Sequence, residues 1–276
     1  MKIAGCVVLY NPSDECLKNI KTYVELLDTL YVLDNSTVYN DELIRCLKQL
    51  PNVEYVGFDG NTGIAHALKI GANRALVEQF DLLLTMDQDS EFPVVSREEI
   101  ENRFSKIRLN DYGIVSLGFN RGESTEKQLQ EVSTWITSGN FIILENYKRI
   151  EGFREELFID FVDFDLNEQF NRINKKIAIF QDLSIKHQIG NPKKYNFCGI
   201  KFTVMNHAPI RYYYRFRNAL YLYHKNKKFY KKLYRKGLLV DIPKVILFEK
   251  DKRAKLKMIR QGRRDARHGK LGKYEE

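Results

Sequence analysis

Leu82-Leu83-Leu84-Thr85-Met86-Asp87-Gln88-Asp89-Ser90 is the stretch that decides how this chain folds. A short apolar run ending on carboxylates reads as a strand buried on both faces, the kind found in a parallel sheet covered by helices. In open α/β sheets the ligand crevice lies beyond the carboxyl ends of the strands, so Asp87 and Asp89 fall at its edge. Two carboxylates one residue apart offer hard oxygen ligands through which a divalent cation bridges to a diphosphate. A solvated turn with helix-capping acids uses the same residues.

Upstream, the same pattern repeats. Apolar runs at 2–10, 29–34 and 53–58 alternate with helical stretches at 17–27, 43–50 and 64–79, which predicts βα units and a mostly parallel sheet flanked by helices. Two more runs end on or next to an acid, at Asp34 and Asp59. Downstream, strands are expected at 114–119 and 141–144, a loop through Gly152-Phe153-Arg154, and a helix from about Asp163. After Gly190-Asn191-Pro192 a strand or loop at 201–205 precedes Pro209, and the rest reads as helix rich in Tyr, Lys and Arg. The expected division is a catalytic α/β domain over 1–205 and a basic helical extension over 206–276.

The 276 residues bury a full-size core, with 43% hydrophobic and 29% charged residues. No apolar run approaches the length of a bilayer span. Residues 1–8 read as a first strand and not a leader, because Asn11-Pro12-Ser13-Asp14 follows. Cys6, Cys16, Cys46 and Cys198 show neither zinc spacing nor a disulfide framework, which suits reduced thiols in a cytoplasmic protein. The net charge of +9 is uneven: residues 224–276 carry 19 Lys and Arg against 6 acids, whereas residues 1–223 carry 26 basic and 30 acidic groups. A near-neutral body with a basic tail points to a polyanionic partner. In that tail Phe229, Tyr230, Leu233 and Tyr234 share a helical face bordered by Lys and Arg. Such a helix either lies on anionic lipid or packs its aromatic edge on the protein.

Three further motifs carry chemistry. Phe158-Ile159-Asp160-Phe161-Val162-Asp163-Phe164-Asp165 aims carboxylates to one side of an apolar frame, as a general base requires and as a charged edge strand also would. Gly60-Asn61-Thr62-Gly63 precedes a helix and can present backbone N–H groups to an anion, or form a turn with an N-cap. It is not the dinucleotide fingerprint, which belongs after the first strand, where Tyr10-Asn11-Pro12-Ser13 stands. His187 stands alone at the end of a strand, and no G-x-S-x-G elbow supports a hydrolase triad.

In this order the motifs resemble the family-2 glycosyltransferases of the GT-A fold, most closely the bacterial rhamnosyltransferase branch. The resemblance rests on VVLYNP at 7–12, VLDNS at 32–36, GNTGIAHA at 60–67, TMDQDS at 85–90, ITSGNFI at 136–142, GFREELFIDFVDFDL at 152–166, KHQIG at 186–190 and RYYYRFRN at 211–218. It departs from the family pattern at Lys69, Gln169 and Asp165. The resemblance implies an inverting sugar transfer with Mg²⁺ or Mn²⁺ held by Asp87 and Asp89, with His187 at the metal or diphosphate. It further implies Asp163 as catalytic base, and a nucleotide-sugar site built from Tyr10, Asn11, Asp34, Asn61, Gly63, Asp87, Ser138 and Gly139. Tyr212, Tyr213, Arg217 and Asn218 match a stretch typical of the branch. Their rings and the guanidinium of Arg217 suit sugar and phosphate, and equally suit a packed amphipathic helix.

The donor implied is dTDP-L-rhamnose, with a UDP-sugar as alternative, and the acceptor a lipid-linked or polysaccharide hydroxyl such as an O-antigen precursor. A peripheral position at the inner membrane face fits the basic tail, and a homodimer is compatible with the sequence. Two other readings are a non-catalytic sugar-nucleotide binder and a nucleic-acid-binding protein. The second leaves the acids at the strand ends unexplained, and no nucleic acid is expected.

Overall fold

The computed structural model describes residues 1–119, 129–187, 193–197 and 200–275. The chain divides into two units, Met1–Glu155 with Asp163–Gln188, and Glu156–Val162 with Ile189–Glu276.

The first unit is built on β1 (Ile3–Leu9), β2 (Thr29–Asp34), β3 (Val53–Gly57) and β4 (Leu82–Asp87), parallel in the order β3-β2-β1-β4. Their connections are α1 (Glu15–Lys21), α2 (Asp41–Lys48) and α3 (Ile64–Val77). Beyond β4 come β5 (Ser90–Glu91), α4 (Arg97–Ser105), β6 (Tyr112–Phe119), β7 (Leu129–Val132), β8 (Asn140–Ile143), α5 (Leu144–Tyr147), α6 (Val162–Arg172) and β9 (Lys176–His187). Among the described residues these strands extend the sheet as β4-β8-β6-β9-β5, with β7 also on β9. β8 runs antiparallel to both β4 and β6, and β6 and β9 are parallel, so the sheet is mixed. Ile3, Val7, Leu30, Val32, Leu82, Leu84 and Phe141 are buried in one apolar cluster, and Ala4, Cys6, Leu33 and Leu83 are buried on the opposite face, as strands covered on both faces require.

The expected helix at 17–27 is shorter than its periodicity implied. α1 stops where Thr22 Oγ1 donates to Asn19 O, and a 3₁₀ turn, Val24–Leu26, follows. Asn52 Nδ2 then donates to the carbonyls of Val24 and Leu27 at 2.7 and 2.9 Å, satisfying groups that a continued helix would have paired internally. Cys6, Cys16 and Cys46 are free thiols. The turn read at 190–192 and Cys198 lie outside the described residues.

The second unit holds the hairpin of β10 (Lys193–Phe197) and β11 (Ile200–Val204), then α7 (Pro209–Lys225), α8 (Lys227–Lys236), α9 (Ile242–Phe248) and α10 (Lys252–Arg267). A π-helical turn, Gly237–Asp241, joins α8 to α9 without a break. No helix among the described residues is long and apolar enough to cross a membrane.

α7 and α10 cross at Gly262, where an added Cβ would lie 2.3 Å from the carbonyl oxygen of Tyr213. That neighbour is backbone and cannot swing aside. Gly262→Ala is therefore expected to destabilise this unit by about 1–3 kcal/mol, although alanine is the better helix former. Chemical unfolding followed by circular dichroism checks it, and an unchanged midpoint would show that the helices separate without cost.

Candidate active site

Strand register assembles the site. Parallel pairing sets Leu9 beside Asp34, Asp34 beside Gly57, and Val8 beside Asp87, so both acids stand at the carboxyl edge of the sheet, one register position apart. Thr85 pairs with Asn140, which brings the segment before β8, Ser138 and Gly139, to the same edge. Asp87 is half-buried and Asp89 exposed, in the tight turn into β5. Ser90 pairs with His187, so the end of β9 reaches the residue after Asp89. The His187 side chain lies outside what the structure describes.

Hydrogen bonds fix the loops around this edge. Gln88, between the two acids, accepts from the Tyr10 N–H at 2.8 Å and donates to the Tyr10 carbonyl at 3.3 Å. Its own carbonyl accepts from Asn19 Nδ2 at 3.0 Å, so the β1–α1 loop is clamped to the acidic turn. Tyr10 is thereby held with its side chain 47% exposed above the edge. Asn11 takes a left-handed φ of 44° and donates its N–H to Ser36 Oγ. Asn35, 3% exposed, accepts at Oδ1 from both the N–H and the hydroxyl of Thr62. Asn61 Oδ1 accepts from the Gly63 N–H, and Gly63, with φ of 92°, caps α3 in a conformation that side chains rarely adopt. Gln88 and Asn35 hold the loops around the acidic edge, a role that local pattern reading does not single out.

Asp34 is 1% exposed, and both its oxygens already accept hydrogen bonds, from the Ser36 N–H at 2.9 Å and from Tyr55 Oη at 2.7 Å. It organises the 34–36 turn that carries Ser36 and Asn35. Ser138, expected beside the donor, is fully buried. Its hydroxyl accepts from the Asp87 N–H at 3.1 Å and donates to Ser90 Oγ at 2.7 Å, so it braces the acidic turn from below. Gly139, φ 79°, is buried with its N–H on Thr85 O. Neither presents a side chain to a ligand.

Asp163 begins α6, and its Oδ1 accepts from the Phe164 N–H at 2.8 Å. The helix is tied to the segment that leads into Ser138. Asn167 Nδ2 donates to Trp135 O at 2.8 Å, Asn171 Nδ2 to Ser133 O at 2.8 Å, and Trp135 Nε1 to Leu117 O at 3.1 Å. These bonds tie the middle and the C-terminal end of α6 to the segment that leads into β8. Asp165 faces inward: burial pushes its carboxyl up to about 6, against Arg154 at 2.9 Å and Gln169 Nε2 at 2.7 Å. Gln169 also exchanges both backbone hydrogen bonds with Gly152, so its departure from the family pattern is a structural one. Lys69 and His66 both meet Glu155, at 2.8 and 2.7 Å, and hold its carboxyl below the usual range.

The expectation that α7 offers phosphate and sugar contacts gives way to the packed-helix reading. Tyr212, Tyr213 and Tyr214 are at most 4% exposed. Arg211 forks onto Asp160 at 2.8 and 3.0 Å, and Arg215 meets Asp241 at 2.7 Å. Arg217 is fully buried and donates to the carbonyls of Gly272, Glu156 and Leu157 and to Asn218 Oδ1. Its guanidinium is saturated by the second unit's own backbone and is not presented to a phosphate. Asn218 Nδ2 lies 2.9 Å from three carbonyls, of Leu157, Ile159 and Asp160. This segment includes Phe158, Asp160 and Phe161, each with φ between 63° and 67°, a conformation that costs about 1–3 kcal/mol per residue unless the surroundings hold it.

The chain is similar to several known proteins. It is 30% identical over 246 residues to the dTDP-rhamnosyl transferase RfbF of Shigella flexneri, spanning 81% of this chain and 80% of that one. Among solved structures, S. aureus TarS 1–349 superposes with a TM-score of 0.58 at 12% identity, covering all of this chain and 93% of that one. GalNAc-T7, solved with UDP, GalNAc and Mn²⁺, superposes with a TM-score of 0.63 at 12% identity over 97% of this chain and 56% of that one. No family model matches the sequence. The two superpositions establish the fold as that of the GT-A enzymes, and the sequence relationship carries the fold to its branch. The chain belongs to the bacterial rhamnosyltransferase branch of the family-2 glycosyltransferases and is a hexosyltransferase.

Proposed function

We propose that this enzyme transfers L-rhamnose from dTDP-L-rhamnose, with inversion, to a hydroxyl of a cell-surface polysaccharide or O-antigen precursor. The observation that carries this reading is the acidic turn Asp87-Gln88-Asp89 at the carboxyl edge, clamped to the β1–α1 loop through Gln88, in a chain 30% identical to a dTDP-rhamnosyl transferase. The nucleotide lies over the β1–α1 and β2–α2 loops, where Tyr10 offers an exposed ring and Asn11 an exposed amide. The Gly60–Gly63 loop spends its own N–H groups at Gly60, Thr62 and Gly63 within the protein, and what it offers the diphosphate is the N-terminus of α3 that it positions.

Two carboxylates at a strand end fit Mg²⁺ or Mn²⁺. Such ions bind through one or two carboxylates and complete their shells with water and substrate phosphate. Asp87 and Asp89 would hold the ion, which when bound supplies positive charge to the departing nucleoside diphosphate. Asp163 accepts the acceptor's hydroxyl proton while that oxygen attacks the anomeric carbon from the side opposite the diphosphate. The free thiols of Cys6 and Cys16 suit a reducing, cytoplasmic compartment.

Calorimetric titration with dTDP, UDP and GDP, each with and without Mn²⁺, tests the reading. Tight, metal-dependent binding of dTDP over the others is expected. A preference for UDP would replace the donor and keep the mechanism. Asp89→Ala is expected to weaken nucleotide binding tenfold or more in Mn²⁺, a loss of about 1.4 kcal/mol or more, and to leave metal-free binding unchanged. Undiminished Mn²⁺ dependence in that variant would remove Asp89 from the metal site.

A further inference from the structure

We infer that the outer face of the continuous helical rod from α8 through α9 is a docking surface for an anionic phospholipid bilayer. The rod, residues 227–248, carries seven Lys and Arg and one acid, Asp241, which is already engaged by Arg215. Its inner side is closed off: Tyr230 and Val245 are buried, and Leu238 and Ile242 pack on the apolar cluster of Phe216 and Ile259.

Its outer side is divided along its length. The α8 half presents Lys228, Lys231, Lys232, Arg235 and Lys236, all exposed. The second half presents Leu239, Val240, Ile246 and Leu247, which are 66, 40, 46 and 60% exposed. Lys228, Lys232, Arg235 and Leu239 follow helical spacing and share one cavity wall, so the cations and the first aliphatics face the same way. Beyond the π-helical turn Ile246 and Leu247 extend the exposed aliphatic surface along α9. The five cations together with Leu239 and Val240 line a shallow cavity of about 450 Å³, with no acidic residue in its wall.

Charge alone would suit any polyanion. Four large aliphatics held in water beside those charges are matched by a surface that is anionic at its face and apolar a few ångströms below it. A nucleic acid satisfies the lysines and leaves the leucines in water, whereas a phospholipid headgroup region satisfies both. Lys and Arg stems reach up to the phosphates while the aliphatic side chains enter the acyl boundary.

Co-sedimentation of the full chain with vesicles, in the absence of nucleotide, tests this surface independently of sugar transfer. Binding is expected to vesicles containing about one-third phosphatidylglycerol, to be far weaker on pure phosphatidylcholine, and to fall with salt. L239S combined with L247S should reduce partitioning by about tenfold or more, and so should K228E combined with K232E. All four positions are exposed, so each variant should keep the wild-type circular dichroism spectrum and unfolding midpoint. Equal binding to both vesicle types, or binding insensitive to either pair of substitutions, would overturn the inference. Binding of single-stranded RNA that competes with vesicles and is unaffected by L239S with L247S would assign the face to nucleic acid instead.

Discussion

Asp163→Asn is expected to lower turnover by about 10²- to 10⁴-fold, the range that a positioned general base contributes, while donor affinity stays within a few-fold of wild type. The substitution is nearly isosteric. Asparagine keeps an Oδ1 that accepts from the Phe164 N–H, so the start of α6 is preserved. What disappears is a group able to take the acceptor's proton. The measurement is kcat beside the donor dissociation constant, with the pH profile as a further readout. Loss of a base should remove the acid-side fall in rate from the profile, which a purely structural defect would leave in place. Donor binding that collapses as far as the rate would make Asp163 part of the donor site instead.

Arg217→Met should destabilise the second unit by about 1–3 kcal/mol, as leaving buried carbonyls without their donor does. Its guanidinium serves three carbonyls and an amide oxygen, and it also lies 5.0 and 5.4 Å from the ring centres of Tyr214 and Tyr213. Methionine fills part of the volume and withdraws a donor from the buried Leu157 carbonyl and from the half-buried Gly272 carbonyl. Arg217→Lys should recover little, because one ammonium cannot reach acceptors spread over the Arg fork. Burial already pulls the guanidinium below its usual pKa, so its charge is tolerated only through these acceptors. Urea unfolding followed by near-ultraviolet circular dichroism of the tyrosines reads the loss. A stable Arg217→Met protein with impaired nucleotide binding would return Arg217 to the donor site.

Some of this was open to local reading. Short apolar runs such as Leu82-Leu83-Leu84, alternating with helical stretches, read as strands between helical layers, and an acid at the end of such a strand stands at the sheet edge. The Ser96-x-x-Glu99 capping box, in which Ser96 Oγ accepts from the Glu99 N–H at 3.1 Å, announces α4 and was a usable signal that apolar periodicity overlooks. The tail likewise shows its cations and its amphipathic spacing in sequence. That Leu239 and Leu247 stay in water while Val245 is covered depends on how α8 and α9 rest on α7 and α10.

The sequence by itself determined the parallel β1–β4 framework, the acids at its carboxyl edge and the branch to which the chain belongs, because apolar periodicity and short motifs are properties of neighbouring residues. The tertiary structure decided which polar groups face the ligand and which hold the fold. Ser138 reaches Asp87 across 51 positions, Gln88 reaches Tyr10 across 78, and Arg217 reaches Gly272 and Leu157 across 55 and 60. A serine, a glutamine or an arginine carries the same donors and acceptors wherever it stands. Its partner is chosen by whichever buried group the fold brings near and would otherwise leave unsatisfied.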